Sequence, residues 1–218
     1  MNEKSLLIEK YCSEAFLLFS SEISESDWGD KDAARRYLDK YWLDEKEFRD
    51  NWKSLQDKMF INQEEGLPEF IFSPSLRFMA LRGGITFEEE DFKQLQSCMK
   101  ILGDKHIIIV QNSILPAKVP PFKMIYPVDI TWDELMSGNF ISTALFEMSL
   151  NEYFVFSESG KWCKYAANDF DLPLNLIACR PEHESVFRQE IEQSEDECQE
   201  IKGWLPPKYS ESPNFIER

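Results

Sequence analysis

Hydrophobic positions along the chain change period about a third of the way in. From Glu3 to Ile23, Leu7, Tyr11, Ala15, Leu18 and Phe19 fall on one side at helical spacing. After a loop at SESDWGD, Asp30 is placed to cap a second helical region. There Tyr37, Leu38, Trp42, Phe48, Trp52, Leu55 and Met59 suit two helices broken near Leu43, with the aromatics in the core.

Beyond EEGLPEF the period shortens. FIFSPSLRFMALRGG reads as a short strand ending in a turn at Gly83-Gly84. Thr86 with Glu89 has capping-box spacing and opens a helix through Phe92, Leu95, Cys98, Met99 and Leu102, stopped by Gly103. KHIIIVQN is a β-branched apolar run, read as a strand buried on both faces. This strand–helix–strand order allows a crossover. The prolines of PPFKMIYPVDI assign it to a sheet edge, and Thr131 with Glu134 caps a short helix, TWDELMSG.

ALFEM, NEYFVFSESGKWCKYAAND and PLNLIACRPE read as consecutive strands, with a hairpin turn at Ser157-Glu158-Ser159-Gly160. PEHESVFRQEIEQSEDECQEIKG then reads as one helix, with Pro181 in its first turn and Gly203 past its end. GWLPPKYSESPNFIER is left as an irregular tail. The expected fold is a single α+β domain over 1–218, with a helical part over about 1–65. The part from about 66 to 218 is expected to hold a mostly antiparallel sheet and a C-terminal acidic helix.

Charge sharpens this picture. The chain has 40 acidic and 24 basic side chains, a formal net charge of −16, yet 14% of its residues are aromatic. Aromatics at that level supply a core, so the negative charge belongs on the outside of a folded body. Such a field disfavours nucleic acid and anionic membranes and favours basic partners. The five cysteines are scattered without ligand or redox-pair spacing and read as reduced thiols, Cys98 and Cys179 in the core. Glu9, Lys10 and Glu14 interrupt the apolar N-terminal stretch, which therefore reads as neither a signal peptide nor a membrane span. A cytoplasmic location is expected.

Candidate chemistry is sparse. Gly83-Gly84 precedes a helix start bearing Glu88, Glu89, Glu90 and Asp91, carboxylates that would repel a phosphate. Cys179 and His183 are spaced like two ligands and Cys163 could in principle join them, but a fourth is not evident, so no zinc and no cofactor is expected. His106 and His183 are the two histidines, and neither sits in a recognisable nucleophile context. The abundant carboxylates leave a carboxylate- or metal-dependent enzyme as the alternative function.

One acidic run stands out in density. Residues 181 to 202 hold eight acids against Arg188 and Lys202. The run is either a solubilising face or a docking surface led by Glu192, Glu195, Asp196 and Glu197, with Trp204 and Tyr209 as exposed aromatic anchors.

The hairpin and the strand after it carry a family likeness. An aromatic strand, YFVF, a turn ending in Gly160, and the Trp162-x-x-Tyr165 strand resemble the sheet core of bacterial toxin–immunity proteins of the Smi1/Knr4-like superfamily. The resemblance implies an inhibitor without catalysis, whose scaffold sheet presents a variable surface to a toxin. The expected partner is then a basic protein such as a nuclease toxin domain.

Overall fold

The structure, a computed structural model, describes residues 31–61, 70–81, 87–113, 121–138, 140–142, 146, 151–168 and 173–217. Outside the described residues lie the helix expected over Glu3 to Ile23, the Asp30 cap, the Gly83-Gly84 turn and Thr86. All of the proposed ALFEM strand except Phe146 lies there too.

Three helices open the described chain: α1 Lys31–Tyr41, α2 Glu45–Asn51 and α3 Lys53–Met59. The break falls at Trp42 to Asp44, where Asp44 and Glu47 form a capping box that starts α2. A second interruption at Trp52 divides the expected second helix. Then come β1 Arg77–Ala80, α4 Glu89–Leu102, β2 His106–Ser113 and β3 Lys123–Pro127. Short helices α5 Trp132–Leu135 and α6 Phe140–Ser142 precede β4 Asn151–Ser157, β5 Trp162–Asn168 and β6 Pro173–Cys179. The chain closes with α7 Glu184–Glu190, α8 Glu195–Trp204 and α9 Pro207–Ser210.

The strands form a six-stranded sheet in the order β1-β6-β5-β4-β2-β3, and every neighbouring pair is antiparallel. The fold is α+β. β1 and β2 therefore run in the same direction but are not neighbours. The connection through α4 does cross over, passing the three strands between them. β3 is an edge strand, as its prolines require.

Both faces of the sheet are buried, which gives three layers. Alternate residues of β2 divide between them: Ile107 and Ile109 face the layer of α1, α4 and α7, while Ile108 and Val110 face the layer of α2, α3, α8 and α9. The chain passes from one face to the other at both edges. Near β3, Trp42 bridges to Met124 and the Leu43 amide donates to the Lys123 carbonyl (2.8 Å). Near β1, Gln193 donates to the Ala80 carbonyl (2.9 Å) as the chain passes from α7 to α8.

Three expectations need correction. Thr131 does cap α5, its hydroxyl accepting from the Glu134 amide (3.1 Å), but the box is half-formed because the Glu134 carboxylate turns to Lys40 and Tyr41. Phe146 is helical rather than extended, and it packs into the core against Phe87 and Tyr126. The segment after Gly203 is not irregular. It forms α9 and then a strip in which Phe78 and Phe215 pair, so the free edge of β1 is covered.

Candidate functional site

The acidic run is two helices, not one. Ile191 is buried against the α4–α7 layer, and burying it ends α7 and turns the chain. A new helix starts at Ser194, whose hydroxyl accepts from the Glu197 amide (3.2 Å) while the Glu197 carboxylate accepts from the Ser194 amide (2.9 Å). The sequence carries this signal, Ser-x-x-Glu, and the apolar periodicity running through it obscured the break. Gly203 lies inside α8, one residue before its end.

The predicted site residues consequently separate. Glu192 is exposed in the connection, its amide donating to Gln94 Oε1 (3.1 Å). Glu195 and Asp196 are exposed in the first turn of α8, where they also favour the helix dipole. Glu197 is half-buried and committed to the cap. Because Cys198, Ile201 and Leu205 pack on the sheet, the opposite stripe of Asp196, Glu200 and Trp204 faces outward at i, i+4 and i+8. Trp204 is 54% exposed, a large apolar ring left in solvent at the end of an acidic helix.

Tyr209 is not an exposed anchor. It is 3% exposed, because Pro206 and Pro207 end α8 and start α9 in a direction that folds the ring under Phe78, edge-on at 6.1 Å. Burial raises its hydroxyl pKa well above the usual value. Other charges of the run are also spoken for. Glu184 is held by Arg77 and Arg188, and Lys202 by Glu217.

On the same face of the sheet as α8 lies an apolar groove of about 320 Å³. Phe72, Phe78 and Tyr209 line it, and Ile61 and Phe70 stand at its margin, 51% and 54% exposed. This part of the site is not visible in helical or strand periodicity, since it joins residues from three separate stretches of chain.

The opposite face holds a buried lysine that sequence reasoning missed. Lys164 on β5 is 1% exposed, its ammonium 4.4 Å from the centre of the Phe87 ring. Burial pushes its pKa down to about 8, against the pull of Asp91 and Glu88; burial likewise raises Asp91. The available signal is a lysine in a strand apolar on both faces, in phase with Trp162 and Ala166. The accompanying cavity, lined by Leu81, Asp91 and Gln94, is about 10 Å³, room for one water and no substrate.

Cys98, Cys163, Cys179 and Cys198 are free and buried. Burial pushes the thiols of Cys98 and Cys179 up to about 12 and raises that of Cys163 as well, which makes them poor nucleophiles. Among the described residues no group of three or more His, Cys, Asp or Glu is arranged to hold a metal ion. The buried carboxylate Glu152 accepts from the Tyr165 hydroxyl (2.6 Å) and from Asn112 Nδ2 (3.0 Å). No helix among the described residues is long and apolar enough to cross a membrane. No protein-family model, curated protein or solved structure matches this chain.

Proposed function

We propose that this is a cytoplasmic binding protein of the immunity type, which neutralises a basic toxin domain such as a nuclease by direct contact and without catalysis. The observation that carries the reading is one of placement. The outward stripe of α8, ending in exposed Trp204, lies on the same sheet face as an apolar groove bordered by Ile61 and Phe70. Carboxylates steer a cationic partner inward, and an exposed tryptophan and an apolar groove on one sheet face supply area for a stable contact. The alternative, a carboxylate- or metal-dependent enzyme, has less support. The buried carboxylate of Glu152 is bound to Tyr165, and the partly buried one of Glu184 to two arginines.

The test is photo-crosslinking in the source cell, with a benzophenone amino acid at position 204 and, as control, at Ile101, which is 58% exposed on α4. The expected result is one dominant adduct at 204, absent at 101, with a protein of strongly basic composition. Equal adducts at both positions, or an acidic partner at 204, would overturn the reading.

A further inference from the structure

Of the four large apolar side chains that stand exposed among the described residues, two, Ile61 and Phe70, border the apolar groove. One of its walls is a short extended stretch, Phe70 to Ser73, outside the six-stranded sheet. The Ile61 amide donates to the Ile71 carbonyl (2.9 Å) and the Ser73 amide to the Met59 carbonyl (2.9 Å), with Phe72 opposite Phe60 between them. In an antiparallel ladder successive residues turn their main-chain groups to opposite sides, so the N–H and C=O of Phe72 point away from this pairing. Neither has a hydrogen-bond partner among the described residues, although Phe72 is only 7% exposed. Buried main-chain donors and acceptors are nearly always paired, so these two point to a partner that the chain itself does not supply.

The free edge faces the groove. Pro74, two residues beyond Phe72, turns its carbonyl to the side-chain amide of Asn214, which also lines the groove (3.3 Å). The sheet's own edge at β1 is closed to pairing, since residues 214 to 216 occupy it. We infer that the groove takes an extended peptide segment of the partner, which adds as a strand along Phe72 and sets a large apolar side chain against Phe72, Phe78 and Tyr209. In strand addition main-chain bonds supply affinity and a pocket for a side chain supplies specificity, and both parts are present here. Basic residues flank that side chain, because the net charge is −16 and the outward stripe of Asp196 and Glu200 lies on this sheet face. The flanking charge rests on the function proposed above; the strand addition does not.

NMR of the ¹⁵N-labelled full chain with three acetylated, amidated peptides tests this: KKFKK, KKSKK, and KKFKK methylated on the phenylalanine nitrogen. KKFKK should bind saturably with Kd below about 1 mM, its phenylalanine set opposite Phe72. The Phe72 amide signal should move downfield. Its hydrogen exchange, fast in the free protein beside that of Ile61 and Ser73, should slow by about tenfold or more. KKSKK has the same charge and the methylated peptide lacks one main-chain donor, and both should bind several-fold more weakly. Phe70→Ser, at an exposed position, should lower the affinity for KKFKK about threefold. The inference is overturned if KKFKK does not saturate, if the methylated peptide binds equally well, if Phe70→Ser changes nothing, or if the Phe72 amide is unmoved. That holds whether or not a basic protein is crosslinked at position 204. Binding at Phe72 without a basic adduct at position 204 would uphold the strand site and overturn the proposed function instead.

Discussion

Lys164 is the side chain most at odds with its surroundings. An ammonium fully buried against Phe87 favours its neutral form, and its pKa is about 8 in the fold against 10.5 for an ordinary lysine. Below pH 8 both states are protonated and the fold bears the whole cost of the buried charge. Between about pH 8 and 10.5 the unfolded chain binds more protons than the native one, so this residue's contribution to stability rises with pH. The thiols of Cys98, Cys163 and Cys179 and the phenols of Tyr37, Tyr126 and Tyr209 work the other way. Their raised pKa values make the fold lose stability as pH climbs through their ordinary range. The lysine is therefore isolated only by difference. Lys164→Met should be more stable than the parent at pH 7, by up to about 3 kcal/mol, with the advantage shrinking as pH rises beyond 8. Urea unfolding of both proteins at pH 7, 8 and 9 measures this. A pH-independent difference, or a less stable variant, would refute it.

Among elements, two glycines near helix ends make opposite demands. Gly103 follows α4 at φ 75°, and a methyl group there would meet no atom within 4 Å, so substitution acts through the backbone alone. Gly103→Ala should cost about 1 kcal/mol. Gly203 sits within α8, again with nothing within 4 Å, and Gly203→Ala should gain up to about 1 kcal/mol by lowering the freedom of the unfolded chain. Ser194→Ala should cost about 1 kcal/mol by removing one half of the capping box. Denaturant midpoints of the three variants check the signs, and a destabilised Gly203→Ala would argue that α8 ends earlier.

This is also the scale at which the sequence was most and least legible. Gly103 as a stop, the prolines of the edge strand, the hairpin at 157–160 and the twofold-buried β2 were readable because each has a local cause. The division of the acidic run into α7 and α8 was not. It depends on Ile191 being needed in one layer and Ile201 in the other, a fact about the sheet rather than about the helix. Tyr209 failed for the same reason: next to two prolines it reads as tail, and only Phe78 from β1 explains its burial. Glu192, Glu195, Asp196 and Trp204 were legible as exposed. The apolar groove on the same face was not, because its walls come from distant parts of the chain.

For the whole molecule, the central claim is that the negative field is used, by way of the α8 face, to capture a basic partner. Association steered by such a field can exceed the unsteered rate by roughly ten- to a thousandfold and weakens as salt shortens the screening length to about 8 Å. Glu197 should be left intact, since its carboxylate holds the cap. In Trp204→Ala the loss should appear mainly in faster dissociation, because a buried anchor sets residence time. The decisive measurement is the association rate of the partner crosslinked at position 204 with the parent and with Glu192→Gln/Glu195→Gln/Asp196→Asn, from low to high salt. The account predicts a several-fold slower association for the variant at low salt, a shallower salt slope, and rates that converge at high salt. An unchanged association rate with the parent's salt slope intact would contradict it.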